Sequence, residues 1–425
     1  MARLNESHSF AERGRNGDSM DRLRVTRIAC IVLVCVACTI SSQAQTLSSL
    51  FGFDQTDGDN PLGALVQGAN GNFYGTTSSD FGSGYGTAFE ITPEGALTTL
   101  YTFCSLTNCA DGAYPTSGLT LAKDGNFYGV TNDGGTENYG TFFKITPEGK
   151  LTTLYSFCSQ ANCADGTYPT AGLLQAANGN FYGVTAYGGA TGFGTIFEIT
   201  MAGTLTTLYN FCSQSNCADG GIPFGSLVQA KDGAFYGTTA SGGAYGPYQY
   251  GTVYKLTASG KLITLYSFCS QTNCADGRYP TSGLVLAKNG NLYGTTAWGG
   301  PFLSLCNNGT GCGTLFEITP TGKLTTLYNF CSLTNCTDGD LPLAALIQAR
   351  NGKLYGTTPY GGEYDYGTVF ELTLVGGLTT VHSFDYSDGS QPEAPLLQAP
   401  SGSFYGTTLE GGSAGWGTVF RLSQE

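Results

Sequence analysis

Basic side chains and histidine are scarce in this sequence of 425 residues. It contains 18 lysines and arginines against 31 aspartates and glutamates, for a formal net charge of −13, and only 2 histidines. Binding to nucleic acid requires clustered basic side chains that neutralise phosphates, and the sequence has no such cluster. We therefore expect no nucleic-acid partner. An acidic balance of this kind is typical of a protein that stays soluble outside the cell.

Long apolar runs are also absent. The longest covers residues 28–40, whereas a membrane-spanning helix needs about 20 apolar residues. Three arginines precede this run and small residues follow it, which is the order found in a secretory signal peptide. We predict that residues 1–44 are a signal peptide cleaved near Ala44 and Gln45, with Cys38 as a weaker candidate for a lipid anchor. The mature chain, residues 45–425, is then expected to be extracellular or periplasmic, with no stable membrane span.

A repeat dominates the remainder of the sequence. The tripeptide Phe-Tyr-Gly or Leu-Tyr-Gly occurs seven times, at intervals of 50 to 62 residues. Its tyrosines are Tyr74, Tyr128, Tyr182, Tyr236, Tyr293, Tyr355 and Tyr405. A sustained period of this size indicates a repeat architecture.

Each unit contains four strand-like segments, seen best at residues 97–103, 118–122, 126–131 and 141–146. The second and third segments are joined by a turn that is Asn-Gly or Asp-Gly in most units, and a second compact turn leads from the fourth segment into the next unit. Both turns suit tight hairpins. The other two connections are long. Because the loops of a meander alternate between its ends, the tight hairpins share one end, here called the plain end, and the long loops share the other, here called the loop face.

The two ends of the mature chain fit a closed ring. Residues 47–53 resemble the last strand of a unit whose other strands are missing, and residues 418–422 resemble a strand with no successor. If the first segment completes the last sheet, no sheet edge stays open. We predict an all-β fold, a single seven-bladed β-propeller of four-stranded antiparallel blades, with an open β-solenoid as the alternative.

The repeated sequence also resembles a known family. The segments GTVFELT, GGLTTVHSF and DGSQPEAPLLQAPSGSFYGTT, with their upstream counterparts, resemble the Gloeo/Verruco tandem repeats of exported bacterial proteins. The resemblance covers essentially the whole mature chain. It implies a secreted bacterial repeat protein, and it brings no established activity.

Twelve cysteines remain after residue 44, and all fall in local pairs. Six pairs lie in long loops: Cys104 with Cys109, Cys158 with Cys163, Cys212 with Cys217, Cys269 with Cys274, Cys306 with Cys312, and Cys331 with Cys336. In an exported chain, such pairs are expected to form disulfides. Zinc is the alternative, but it needs four close ligands, and the only histidine of the mature chain is His382.

Two long loops lack cysteines and are acidic instead, with Asp54, Asp57 and Asp59 in one and Asp385 and Asp388 in the other. Such carboxylates could hold calcium. However, Asp57 and Asp388 belong to an Asp-Gly pair that all seven units share, so turn formation is the favoured interpretation. We expect no cofactor, and calcium is the less favoured alternative.

Function in a repeat protein is expected where the units differ, and loops on a rigid scaffold commonly carry it. One position after the third segment varies among the units, and a second loop position is mostly aromatic. Candidate ligand-binding residues from these positions are Asp133, Tyr187, Trp298, Tyr360, Glu410 and Trp416. Aromatic rings beside carboxylates suit a sugar ligand. At the second position, which holds Trp416, packing is the favoured interpretation.

Catalysis has little support in the sequence. No serine nucleophile motif occurs with a histidine partner, and no catalytic residue is assigned. Two carboxylates suffice for a glycosidase or lyase, and Asp133, Glu137, Glu363 and Glu410 lie in long loops. We expect a secreted, monomeric, non-enzymatic binding or adhesion protein that recognises a glycan or a protein through its loop face. A carbohydrate-active hydrolase or lyase is the alternative.

Overall fold

The computed structural model describes residues 45–78, 84–245, 250–302, 306 and 309–424. The predicted signal peptide lies outside these residues. The described strands form seven sheets of four antiparallel strands each. The fold is therefore the all-β, seven-bladed β-propeller that the repeat predicts.

The strands of each blade follow one another along the chain, from a two-residue inner strand outwards. Blade 1 comprises β2 (Val66–Gln67), β3 (Phe73–Thr77), β4 (Thr87–Ile91) and β5 (Leu97–Thr102). Blade 2 comprises β6 (Thr120–Leu121), β7 (Phe127–Thr131), β8 (Thr141–Ile145) and β9 (Leu151–Ser156). Blade 3 comprises β10 (Leu174–Gln175), β11 (Phe181–Thr185), β12 (Thr195–Ile199) and β13 (Leu205–Asn210). Blade 4 comprises β14 (Val228–Gln229), β15 (Phe235–Thr239), β16 (Thr252–Leu256) and β17 (Leu262–Ser267).

The remaining blades have the same plan. Blade 5 comprises β18 (Val285–Leu286), β19 (Leu292–Thr296), β20 (Thr314–Ile318) and β21 (Leu324–Asn329). Blade 6 comprises β22 (Ile347–Gln348), β23 (Leu354–Thr358), β24 (Thr368–Leu372) and β25 (Leu378–Ser383). Blade 7 comprises β26 (Leu397–Gln398), β27 (Phe404–Thr408), β28 (Thr418–Gln424) and β1 (Gln45–Gly52). Short 3₁₀ turns occur at Thr107–Cys109, Ala161–Cys163, Ser215–Cys217, Thr272–Cys274 and Thr334–Cys336.

The first strand of the propeller closes the ring. Strand β1 pairs antiparallel with β28, and Leu47 lies opposite Leu422. Blade 7 thus combines the two ends of the propeller, as the unpartnered end segments of the sequence predict. Pairing of this kind covers a sheet edge that would otherwise offer free N–H and C=O groups to another chain.

Aromatic rings join each blade to the next. The tyrosine of each Tyr-Gly pair packs against the residue that precedes Tyr-Gly in the following blade, as Tyr74 does against Phe127 with ring centroids 4.2 Å apart. The same contact joins blade 7 to blade 1, where Tyr405 and Phe73 lie 4.0 Å apart. A second, edge-to-face pair, such as Phe103 with Phe143, recurs at all seven junctions at 5.1 to 5.4 Å. The hydrophobic core therefore lies between the blades, in seven separate clusters.

The residues that follow the repeated tyrosine also have structural roles. A Cβ atom placed on Gly75 would lie 2.5 Å from the ring of Phe89, which faces it on the next strand. This glycine therefore makes room for an aromatic ring. Next along the strand, the buried hydroxyls of Thr77 and Thr87 lie 2.8 Å apart, and an equivalent pair occurs in every blade.

The hydroxyl of the repeated tyrosine is held at the plain end by a charged neighbour. In blade 1, Tyr74 donates a hydrogen bond of 2.7 Å to Glu90 in β4. Blade 2 reverses the arrangement, because Tyr128 donates to Asp124 in the hairpin and Lys144 lies 3.2 Å from the same carboxylate. Blade 4 repeats this pairing with Asp and Lys. In these two blades, the hairpin has Asp in place of Asn, and the strand has Lys in place of Glu.

This exchange predicts a pair of compensating mutations. Lys144→Glu should place two like charges side by side and lower the free energy of unfolding by about 1 kcal/mol. Adding Asp124→Asn recreates the blade 1 arrangement and should restore stability. Chemical denaturation of both variants measures the effect, with Lys323→Glu, in an exposed turn of blade 5, as the control. A double variant as unstable as the single one would contradict the pairing.

Candidate functional site

The long loops are fixed to one another by short bridges. In blades 2 to 7, the first residue after the Asp-Gly pair bonds to the variable position after the third segment, as Ala113 does with Asp133 and Asp340 does with Tyr360. Five of the predicted binding residues, all except Trp416, lie at these bridges. The bridges hold both long loops of a blade together at the loop face.

The Asp-Gly aspartate holds the first long loop together. The carboxylate of Asp111 accepts hydrogen bonds from the Tyr101 hydroxyl at 2.7 Å and from Ser105. Burial opposes ionisation, but the bonds from Tyr101, Leu106 and Ser105 together hold the pKa of Asp111 below its usual range. In the cysteine-free loop before blade 7, His382 replaces the tyrosine and lies 2.7 Å from Asp388. The aspartates of the Asp-Gly pairs thus stabilise the turns of the long loops, which is the interpretation that the sequence favours.

The cysteines form the six predicted disulfides. The five C-x4-C pairs have Cα atoms 4.0 Å apart, and Cys306 and Cys312 have theirs 5.2 Å apart. Within the described residues, the Sγ atoms of Cys306, Cys331 and Cys336 also lie within 4.8 Å of one another. Because all three sulfurs are in disulfides, they are not available as zinc ligands.

A strained backbone position clamps neighbouring blades around the axis. The residue before the proline of each Asp-Gly-x-x-Pro segment has a φ between 53° and 60°, and this residue is Ile222 in blade 4. Such a conformation is costly for a β-branched residue. In blade 2, the N–H of Tyr114 bonds to the carbonyl of Tyr85 in blade 1, and its own carbonyl accepts from Asn132. The strain is thus balanced by bonds that tie two blades together.

The residue after that proline lies at the centre of the propeller. These seven residues, here called the axial ring, are Leu62, Thr116, Thr170, Phe224, Thr281, Leu343 and Glu393. They line a cavity of about 800 Å³ at the loop face, together with Tyr114, Asn132 and Asp133. Below the axial ring, the cavity continues as a channel of about 330 Å³. The volume of this cavity lies within the usual range of a small-ligand site.

An acidic sector, here defined as Asp340, Glu393 and Glu410, lies in the long loops before and within blades 6 and 7, and Glu393 lines the cavity. Burial, and next the charge of Glu410, raise the pKa of Glu393 to about 7. Burial also raises the pKa of Asp340 to about 7, against a hydrogen bond from the Leu341 backbone. The pKa of Tyr360 is raised by burial and then by Glu393 and Glu410.

Several hydroxyls in the channel have no protein partner. The Oγ of Ser117 is buried and makes no hydrogen bond within the described residues, and Ser117 itself is 7% exposed. The hydroxyls of Thr170 and Thr281 in the axial ring are also buried and unpartnered. A buried hydroxyl without a partner costs about 1–3 kcal/mol. Each of these oxygens exposes less than 1 Å², so water in the channel does not reach them.

The predicted binding residues have different surroundings. Asp133 lines the axial cavity, and burial raises its pKa. Glu410 is bridged to Ser390, in the loop that carries Glu393, and Tyr360 is bridged to Asp340. Tyr187 is 44% exposed on the loop face.

The two tryptophans differ from each other. Trp298 stacks on Tyr279 with ring centroids 4.2 Å apart, and the guanidinium of Arg278 lies 5.7 Å from its ring. Trp416 is partly buried against the core cluster that contains Phe53. The position of Trp416 agrees with the packing interpretation of its loop position.

Two of the four candidate catalytic carboxylates share a cavity, and the other two lie elsewhere. Asp133 and Glu137 line one cavity of about 570 Å³ beside blade 2. Glu363 lines a groove of about 880 Å³ on the outer side of blade 6, together with His382. Asp133 also lines the axial cavity together with Glu393, and the charge of Glu410 adds, after burial, to the raised pKa of Glu393.

Sequence reasoning missed the axial ring. Its signal was available, because the proline of each Asp-Gly-x-x-Pro segment is invariant among the units and the next residue varies from Leu to Glu. The exposed tyrosines were found only in part, because the predicted binding residues include Tyr187 and Tyr360 but not the other five. Seven tyrosines that are at least 37% exposed all lie in long loops: Tyr85, Tyr187, Tyr245, Tyr360, Tyr364, Tyr366 and Tyr386.

Comparison with known families identifies the repeat. The sequence matches the Gloeobacter/Verrucomicrobia repeat over residues 36–164, 159–349 and 309–425. The chain belongs to this repeat family. No curated protein matches the sequence.

Solved structures resemble the fold. The extracellular domain assigned to the hybrid two-component system BT3049 from B. thetaiotaomicron has a TM-score of 0.58 at 12% identity, and the match covers 90% of this chain and 42% of that one. The extracellular domain assigned to the one-component system BT4673 from the same organism has a TM-score of 0.54 at 10% identity, with 88% and 40% covered. A gluconolactonase from Xanthomonas campestris has a TM-score of 0.44 at 12% identity, with 91% and 93% covered, and carries no argument here.

At these identities, the resemblance is one of fold. The chain spans less than half the length of the two extracellular structures. Among the described residues, no helix is long and apolar enough to cross a membrane.

The acidic sector predicts a pH dependence of stability. The folded pKa of Glu393 lies above its ordinary value of 4.5, so its contribution to the free energy of unfolding is lost as pH rises from about 4.5 through about 7. Glu393→Gln should make the free energy of unfolding fall less steeply with pH, by the equivalent of a fraction of one bound proton. The part of the fall that is due to Asp340 should remain. Denaturant titrations across this pH range measure it, with Glu94→Gln in an exposed hairpin as the control. An unchanged pH profile in Glu393→Gln would contradict the burial of this carboxyl.

Proposed function

We propose that this protein is exported and binds a glycan at the axial cavity of its loop face. The single observation that carries the proposal is the lining of that cavity. The lining combines apolar residues of the axial ring, namely two leucines and Phe224, with three threonines and the carboxyl groups of Glu393 and Asp133. Sugars present apolar ring faces and hydroxyl edges, so a cavity that offers both kinds of contact suits them.

The exposed tyrosines of the long loops support a binding role of the same face. They supply flat, amphipathic contacts of the kind that binding surfaces use.

Export is supported by two independent features. Six disulfides are typical of proteins from oxidising compartments. Two of the similar structures are extracellular domains. The signal peptide predicted from residues 1–44 would deliver the chain there.

A second candidate function is carbohydrate hydrolysis or elimination. The observation that favours it is the pairing of Glu393, whose pKa is raised to about 7, with Glu410. A protonated carboxyl beside a second carboxylate is the arrangement that glycosidases use to protonate a leaving oxygen. Release of new reducing or unsaturated sugar ends by the wild-type protein, and its loss in Glu393→Gln, would favour catalysis over binding alone.

The binding proposal is tested by a glycan array of residues 45–425, followed by calorimetry on any ligand found. Phe224 lies in the axial ring and offers an aromatic face to the cavity. Phe224→Ala should weaken binding about 3- to 10-fold, the range expected from loss of one aromatic contact. Val375→Ala, in a plain-end hairpin, is the matched control because its side chain is 91% exposed. Absence of binding to every glycan would redirect the proposal to a protein ligand.

A further inference from the structure

The cavity beside blade 2, here called the outer cavity, adjoins the axial cavity on the loop face. Its volume is about 570 Å³, and its lining includes Tyr85, Asn108 and Glu137. Tyr114 and Asp133 line the outer cavity and the axial cavity alike. The two cavities therefore meet at this pair of residues. Both volumes lie within the usual range of a small-ligand site.

The short side chain of Asp133 explains why space is available at this junction. In blade 5, the same loop position is Trp298, whose ring stacks at 4.2 Å on Tyr279, the counterpart of Tyr114. In blade 3 the position is Tyr187, which lies edge-on to the corresponding tyrosine at 6.1 Å. Blade 2 has a carboxylate where those blades have a second ring, so no such ring covers the tyrosine between the two cavities.

The outer cavity has the mixed surface that a sugar requires. The rings of Tyr85 and Tyr114 lie edge to face with their centroids 5.6 Å apart, and Tyr85 is 40% exposed. Asn108 and Glu137 add an amide and a carboxyl group to the same lining. Aromatic faces suit the apolar side of a sugar ring, and the polar side chains suit its hydroxyls.

The loops around the outer cavity are held in place by the protein itself. A disulfide joins Cys104 to Cys109, and the N–H of Gly135 donates to the Cys109 carbonyl at 2.9 Å. The N–H of Thr136 donates at 3.3 Å to the hydroxyl of Ser156, the last residue of the outermost strand β9. The cavity is thus preformed, which reduces the entropy cost of binding. It also extends outwards from the axis to the edge of blade 2.

Charge narrows the class of ligand. The described residues that line the two cavities include three carboxyl groups, those of Asp133, Glu137 and Glu393, and no basic side chain. An anionic sugar chain would be repelled by these groups, whereas a neutral chain would not.

We propose that the axial and outer cavities together bind one linear, neutral oligosaccharide, which crosses from one cavity to the other at Tyr114 and Asp133. This inference rests on the proposed glycan binding and adds the length and charge of the ligand. Sugar units at the axis contact Phe224, and units further along the chain contact Tyr85. The groove thus runs outwards from the axis along the junction of blades 1 and 2.

The experiment compares long and short members of the same glycan series. Calorimetry on residues 45–425, which contain the whole propeller, measures hexamers and dimers derived from cellulose, mannan, xylan and amylose. We expect at least one hexamer to bind about tenfold more tightly than its dimer, because only the hexamer reaches both cavities. A hexamer of galacturonic acid should bind more weakly than that neutral hexamer.

Each contrary result has a separate meaning. Equal affinity of hexamer and dimer in every series that binds would overturn this inference and leave the proposed glycan binding intact. Preferred binding of the galacturonic acid hexamer would overturn the neutral class. If no neutral hexamer binds, this inference fails, and the glycan array decides separately whether the proposed glycan binding fails with it.

Two variants assign the length preference to the groove. Asp133→Trp introduces the residue that blade 5 has at this position, and it should stack on Tyr114 as Trp298 stacks on Tyr279. The junction would then be blocked, so the affinity for the hexamer should fall to that for the dimer. Val375→Trp adds the same ring at the exposed plain end and should leave both affinities unchanged.

The second variant tests the outer cavity without adding bulk. Tyr85→Ala should weaken hexamer binding about 3- to 10-fold, the range expected from loss of one aromatic contact, and should not change dimer binding at the axis. Tyr85→Phe keeps the ring and should restore the hexamer affinity. Thermal unfolding checks that the variants fold. A length preference that survives in either folded variant, or an equal loss for dimer and hexamer, would overturn the inference that one chain spans both cavities.

Discussion

The structure depends on one repeated contact. In it, the repeated tyrosine of each blade packs on the Phe or Leu that precedes Tyr-Gly in the next blade. In a linear repeat, the terminal units have one neighbour each. Here, Tyr405 packs on Phe73, so the first and last blades each have two neighbouring blades, as every other blade does. Loss of a core aromatic ring typically costs about 3–5 kcal/mol. Because the ring is closed, such a loss would loosen one junction and also the strand pairing of β1 with β28 that completes it.

The same constraint decides where the sequence is free to vary. The Tyr-Gly motif, its ring partners and the paired threonines are needed at every junction, so they recur. The residue before each proline is held in its conformation by main-chain hydrogen bonds. Its side chain is therefore free to vary, from Asn60 to Ile222. The next residue then faces an axis that no neighbouring blade fills. Variation is therefore concentrated at the centre of the loop face by the geometry of the ring itself.

Local features of the sequence predict local structure well. The tight hairpins, the sharing of one end by both long loops, and the disulfides depend on residues close together in the chain, and a turn residue or a short cysteine spacing contains that information. Ring closure is also predictable, because the two end segments complement each other. The axial ring is different, since its seven members come from seven units about 50 to 62 residues apart. Glu410 was recognisable as a loop carboxylate, but its neighbour Glu393 follows a proline in another loop, and only the fold brings them together.

Glu393 is the clearest conflict between the repeat and the site. Threonine occupies this ring position in blades 2, 3 and 5, so the fold itself does not require a carboxyl group there. The carboxyl instead lies in a partly buried cavity beside Glu410, and burial raises its pKa to about 7. Retaining it lowers stability at neutral pH, because a proton must be bound or a charge must be held in poorly solvated surroundings. No described basic side chain offsets this cost. A group that opposes folding and lies at the centre of the loop face is best explained by what it binds.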